Sequence, residues 1–226
     1  MMVPSNSQSA VSYFGRPMFL LLSFVIAVSL GCGQSASEKN MSQLNSIAGT
    51  LKQSGPSPAV VAQLNTYLEN YPQDDLAWTT LGNCQIELED FPAAANAFET
   101  ALKINPKLVE AITGQGILLR YQGQYNESLA MYQRALEIDP NYAQAYSSMV
   151  AIAILRKDYA KAVEYGQHSY QLDSTDPLIA ANLALAYHHL GDVANRDKFK
   201  NVAAQLNYKD MDSLQQIING DIKSGQ

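Results

Sequence analysis

Residues 72–106 read PQDDLAWTTLGNCQIELEDFPAAANAFETALKINP, and this stretch decides the fold. Between Asp75 and Leu88 the apolar residues Trp78, Leu81, Cys84 and Leu88 recur at three- and four-residue steps, the pattern of one buried helix stripe. Between Ala93 and Ile104, the residues Ala94, Ala97, Phe98, Ala101 and Leu102 do the same. Glu89 and Asp90 interrupt the two stripes and predict a turn, while Pro106, which cannot continue a helix interior, predicts the end of the second helix. The stretch therefore predicts a helix–turn–helix hairpin.

Working outward, the same punctuation recurs. Pro72, Pro106 and Pro140 stand 34 residues apart, and turn pairs at Gly123-Gln124, Lys157-Asp158 and Gly191-Asp192 follow Glu89-Asp90 at the same step. With Asp75 as position 1, Trp78, Leu81, Gly82, Ala94, Phe98, Ala101 and Pro106 fall at positions 4, 7, 8, 20, 24, 27 and 32. This combination resembles the tetratricopeptide repeat, whose hairpins cannot bury their apolar faces alone and so stack on their neighbours. The resemblance implies an all-α fold: an α-solenoid, a right-handed superhelix of stacked hairpins. Small residues belong where the two helices cross closely, and bulky ones fill the space between neighbours.

The frame extends to five units, 41–74, 75–108, 109–142, 143–176 and 177–208. The unit 109–142 keeps Ile112, Gly116, Ser128, Tyr132, Ala135 and Pro140 in phase, with Gln115 a departure. The next keeps Tyr146, Met149, Ala162 and Ser169, but Val150 stands in the glycine place, Gly166 in the aromatic place and Ser174 in the proline place. The first unit carries Leu44, Ile47, Ala48, Leu51, Leu64 and Pro72, and the last carries Leu183, Ala184, Tyr187 and Ala203, with Arg196 and Lys200 departing in its second helix. In residues 209–226, Asp210 and Asp212 can cap a final helix with an apolar stripe of Leu214, Ile217 and Ile218, ended by Gly220 and expected to cover the last repeat.

The first forty residues follow another logic. Residues 18–30, MFLLLSFVIAVSL, are an uncharged run after Arg16, too short to span a bilayer comfortably and of the length of a secretory h-region. Gly31 and Cys32 follow directly, an arrangement that resembles the bacterial lipobox, although Ser29 and Leu30 stand where Leu and a small residue are commonest. The resemblance implies a lipoprotein-type signal over 1–31, lipidation of Cys32, and a polar linker over 32–40. Two acyl chains give stable anchoring where one is marginal, and eight extended linker residues reach about 28 Å. The alternatives are an ordinary cleaved signal with an incidental cysteine, or a short uncleaved anchor. The expected location is the bacterial cell envelope, outside the cytoplasm, at the periplasmic face of the outer membrane in a Gram-negative cell.

Composition narrows the function. At 47% apolar and 16% charged the chain can build a continuous core. A net charge of −6 with no run of Lys or Arg argues against nucleic acid as a partner. No phosphate loop, serine elbow, CxxC or HExxH is present; His188 and His189 are adjacent, whereas ligands on one helix face need steps of three or four residues between them. No catalytic residue, metal or cofactor is expected. The array also resembles the repeats that precede O-linked N-acetylglucosamine transferases, but the 18 residues after Tyr208 leave no room for such a domain, so no enzyme is expected. Cys84, within an apolar stripe, reads as a small buried hydrophobe.

In the family, first helices line a concave groove. That implies binding of a protein or peptide by Thr79, Asn83, Ile86, Thr113, Ile117, Arg120, Tyr121, Ser147, Ala151, Asn182, Leu185 and His188. The groove would be mostly neutral. The carboxylate clamp of chaperone-binding members is not matched, because Thr79 and Gly114 stand in place of the partners of Asn83 and the lysines are missing. The expected role is a membrane-anchored adaptor or scaffold for an envelope complex; the rival is an accessory or small-ligand-binding subunit of an envelope enzyme or transport system.

Overall fold

A computed structural model describes residues 34–220; residues 18–30, Cys32 and residues 221–226 lie outside that range. Eleven helices and no strands occupy the described residues. They are α1 Gln34–Ser54, α2 Pro58–Asn70, α3 Asp75–Glu87, α4 Phe91–Ile104, α5 Val109–Tyr121, α6 Tyr125–Ile138, α7 Ala143–Leu155, α8 Tyr159–Leu172, α9 Pro177–His189, α10 Val193–Gln205 and α11 Met211–Asn219. The chain divides into two compact units between Gln122 and Gly123.

The 34-residue period is written into the backbone. Gly55, Glu89, Gly123, Lys157 and Gly191 all adopt positive φ, between 60° and 77°. Each sits in the turn between the two helices of a hairpin, where a left-handed residue ends the first helix. Asp90, Asp158 and Asp192 donate their N–H groups to the Gln85, Ala153 and Tyr187 carbonyls at 2.8–3.0 Å, reaching back across that residue. Their carboxylates then accept from the N–H groups of Ala93, Lys161 and Asn195, capping α4, α8 and α10. One residue thus closes one helix and opens the next.

The second helices stop in register as well. Asn105, Asp139 and Asp173 cap the ends of α4, α6 and α8, each donating its N–H to the carbonyl four residues back. Their side chains accept from the Lys107, Asn141 and Thr175 N–H groups, a local turn that the following proline is not needed to make. Ser174, which stands in the proline place, therefore leaves α8 ending in phase.

In the unit up to Gln122 the core runs through Ile47, Leu51, Val60, Leu64, Tyr67, Leu81 and Cys84, with Trp78 packed against it. Tyr67, fully buried, donates to the Asp74 carboxylate at 2.7 Å, and the same carboxylate accepts from Ala77 N–H to cap α3. Phe98, also fully buried, lies across Gly82 and Gly114, where any β-carbon would meet its ring. Burying such a ring contributes about 1.5–3 kcal/mol.

In the unit from Gly123 the core comprises Val150, Ala162, Ile179, Leu183, Ala184, Tyr187, Phe199 and Ala203, closed by Leu214 and Ile217 of α11. Three features differ from the sequence expectation, the first being that the Asp210 carboxylate does not cap α11. The aromatic of α10 is Phe199, one residue before the expected place at Lys200; it stacks on Tyr187 at 5.7 Å and meets Tyr170 edge-on at 5.3 Å. Shifting by one residue lets the ring face inward while Arg196 pairs outward with Asp197. At the other end, α1 begins at Gln34, so residues 34–40, expected to be linker, are helical.

Candidate protein-binding faces

The first helices of the repeats carry the expected binding residues on single stripes. On α3, Thr79, Asn83 and Ile86 follow at four- and three-residue steps. On α5, Thr113, Ile117, Arg120 and Tyr121 do the same, and α3 and α5 pack directly against each other. These seven side chains are brought together in one unit. Ser147 and Ala151 of α7 and Asn182, Leu185 and His188 of α9 form the corresponding stripes in the other, where α7 and α9 are in contact.

Burial sorts these residues. Thr79, Ile86, Thr113, Ile117, Ser147, Asn182 and Leu185 are all at least nine-tenths buried, whereas Asn83, Arg120, Tyr121, Ala151 and His188 are partly exposed. Thr79 spends its hydroxyl on its own helix, donating to the Asp75 carbonyl at 2.8 Å. Thr113, 1% exposed, has no partner for its hydroxyl among the described residues. Neither does Gln85 for Oε1, nor Arg120 for Nε. An unsatisfied buried polar atom costs about 1–3 kcal/mol, so these three are points of the unit where a hydrogen bond is missing. Gln85 was hidden from the sequence reading because its place in the frame is a core position.

Aromatic groups flank the stripe on α5. The Arg120 guanidinium lies 4.7 Å from the Tyr121 ring centre, and Tyr121 stacks with Phe91 of α4 at 5.8 Å. On α9 and α8, His189 stacks on Tyr159 at 4.2 Å and His188 meets His189 edge-on. Burial, aided by Arg196 for His188 and by His188 and Lys157 for His189, holds both imidazoles below the usual histidine range. Among the described residues no group of His, Cys, Asp or Glu could hold a metal ion, and no helix is long and apolar enough to cross a membrane.

A partly open pocket lies at the end of the second unit. Between α9 and α11 a cavity of about 210 Å³ is lined by Asn182 and Leu185 of the expected set, together with Tyr208, Asp210, Leu214 and Ile217. The last four were not read as site residues. The signal that could have found them is the period itself, since α11 begins 34 residues after α9 and so occupies the place of a further first helix.

Fold and faces together define a tetratricopeptide-repeat protein, an all-α solenoid of stacked hairpins. The family described as the cytochrome c-type biogenesis protein H TPR domain matches residues 59–179, more than half of the 226, and the chain belongs to this family. Among curated relatives, Hsp70-Hsp90 organizing protein 3 of Arabidopsis thaliana is 29% identical over 92 residues, 41% of this chain and 16% of that one. The general transcriptional corepressor ssn6 of Schizosaccharomyces pombe is 27% identical over 116 residues, 50% of this chain and 10% of that one. The chain spans less than a third of the length of these relatives. Among solved structures, Pseudomonas aeruginosa pilF superposes with a TM-score of 0.67 at 17% identity, covering 83% of this chain and 86% of that one. A thermophilic TPR protein of Thermus thermophilus gives 0.67 at 19% identity, covering 80% and 97%. At such identities the likeness is one of fold.

Proposed function

We propose that the protein is an adaptor that holds a polypeptide partner against the first-helix faces of its repeats, and that it does so from a lipid anchor at Cys32 in a bacterial envelope. The TPR fold is a protein-interaction scaffold. The observation that carries the partner claim is the first-helix face of one unit, where the partly exposed Asn83, Arg120 and Tyr121 share their stripes with the apolar Ile86 and Ile117. A bound peptide supplies both kinds of complement, main-chain donors and acceptors for the first and side chains for the second.

The anchor claim rests on residues 18–32 of the sequence, an h-region followed at once by Gly31-Cys32. With α1 helical from Gln34, the rise is about 1.5 Å per residue rather than 3.3–3.6 Å, so a lipid at Cys32 would keep the repeats close to the membrane surface. The family's name, from a cytochrome c-type biogenesis protein, is in keeping with work on other proteins' assembly. In this reading the protein catalyses nothing itself. Site-specific crosslinking from the first-helix faces, compared with the outer helices, tests the adaptor role.

A further inference from the structure

The cavity between α9 and α11 differs in kind from the stripes on the first helices. It is a partly open pocket of about 210 Å³, with Leu185, Leu214 and Ile217 on its apolar side and Asn182, Asp210 and Ser213 on its polar side. An apolar cavity of about 150 Å³ accommodates benzene, so this one has room for a group of roughly seven or eight heavy atoms. Polar and apolar groups share its lining about equally, so the occupant must be amphipathic, apolar at one end and polar at the other.

The polar side specifies the other end. Asn182 is 7% exposed and its side chain makes no hydrogen bond within the described residues, so its amide oxygen is an uncommitted acceptor beside the cavity. Asp210, an exposed residue, precedes α11 but its carboxylate does not cap the helix, which leaves that acceptor uncommitted to the backbone as well. Tyr208 adds an aromatic ring. Its hydroxyl is pushed up to about 12 by burial, then by the negative charges of Asp210 and Asp176, so it stays a neutral phenol. An amide oxygen, a carboxylate and a ring together favour a hydrogen-bond donor that carries positive charge. A carboxylate ligand would meet repulsion, and a neutral alcohol would gain no attraction from the Asp210 charge.

We propose that the α9–α11 cavity binds an alkylammonium group, a chain of about five carbons laid on Leu185, Leu214 and Ile217 with its amine held by Asp210 and Asn182. A lysine side chain of a protein partner and a free diamine both present this chemistry. The inference stands whether or not the first-helix faces hold a polypeptide, because its test uses small molecules only.

The test titrates n-pentylammonium, 1-pentanol and pentanoate into the full chain held in a non-ionic detergent, with nitrogen-15 amide spectra as the readout. The expected result is saturable shifts at Asn182 and along α11 with pentylammonium, binding of pentanol weaker by about tenfold, and no shift with pentanoate. Asp210→Asn should weaken pentylammonium by about tenfold and leave pentanol unchanged. If that variant disturbs α11, Asn182→Leu carries the same comparison with the start of α11 intact. Nα-acetyl-lysine methylamide and 1,5-diaminopentane separate the sources: tighter binding of the first supports a lysine of a partner, and tighter binding of the second supports a free diamine. Equal responses to pentanol and pentylammonium, no saturable shift with any of them, or ammonium binding unchanged in both variants would overturn the proposal.

Discussion

Val150 and Gly166 exchange the sizes that Gly82 and Phe98 have in an earlier repeat. A β-carbon on Gly82 would stand 2.7 Å from the Phe98 ring, whereas a β-carbon on Gly166 would stand 3.7 Å from Val150 Cγ2 and 2.8 Å from Leu183 Cδ2. In one hairpin the ring fills the space over a glycine; in the other, valine and a leucine from the next repeat fill the space that the missing ring leaves. Two departures that look like decay of the pattern are one compensated substitution, because the packed volume is what the fold conserves.

This packing makes glycine-to-alanine changes informative. Alanine favours a helix over glycine by about 1 kcal/mol, but overpacking a filled core costs about 1–3 kcal/mol. At Gly114 the obstacle is the fully buried Phe98 ring, and at Gly166 it is the end of the Leu183 side chain. Thermal unfolding should show Gly114→Ala lowering Tm by several degrees and Gly166→Ala lowering it less. A raised Tm in either variant would contradict the packing described.

Cys84 provides a chemical readout of opening in the first unit. Burial, with Glu87 adding repulsion, pushes its thiol up to about 12, so at pH 8 only about one molecule in ten thousand is a thiolate. In a Cys32→Ser background, iodoacetamide should label the folded chain at pH 8 at least about a thousandfold more slowly than the chain in guanidinium. Rapid labelling without denaturant would place Cys84 outside the core.

Asp192 ties stability to pH. Hydrogen bonds from the Asn195 backbone, and then from its side chain, hold this carboxyl below its ordinary value. Its contribution is therefore present above the unfolded pKa of about 4 and is lost as pH falls through the lower folded value. Asp192→Asn keeps a good helix cap at neutral pH. The variant should match the parent Tm at pH 7 and lose less than the parent on titration below about pH 4. Identical acid limbs would remove Asp192 from the account.

The anchor is open to a direct chemical test. Cells fed an alkyne fatty acid should yield labelled protein from the parent chain and unlabelled protein from Cys32→Ser. Equal label in both would end the lipoprotein reading.

How much was legible in the sequence follows from what kind of information each feature carries. The hairpins were legible because turn residues and apolar stripes are local, and Glu89, Gly123, Lys157 and Gly191 mark turns in any single repeat. The inward turn of Phe199 was not, since fixed register assigned that place to Lys200 and only the packing of Tyr170 and Tyr187 selects its neighbour. The helical state of residues 34–40 was obscured by their polarity, which reads equally well as linker. Of the binding residues, the stripes were legible from periodicity. The cavity was not, because it depends on Tyr208 and Asp210 in the loop before α11 and on how that helix meets α9.

Photo-crosslinking in living cells from single sites in one unit decides whether the first helices form a partner-binding face. A photoreactive residue at Asn83 or Tyr121, on the first-helix faces, should give a discrete adduct with another polypeptide. The same group at Glu99, exposed on α4, should give none. Adducts of equal yield from all three sites, or none from Asn83 and Tyr121, would contradict a partner-binding face on the first helices.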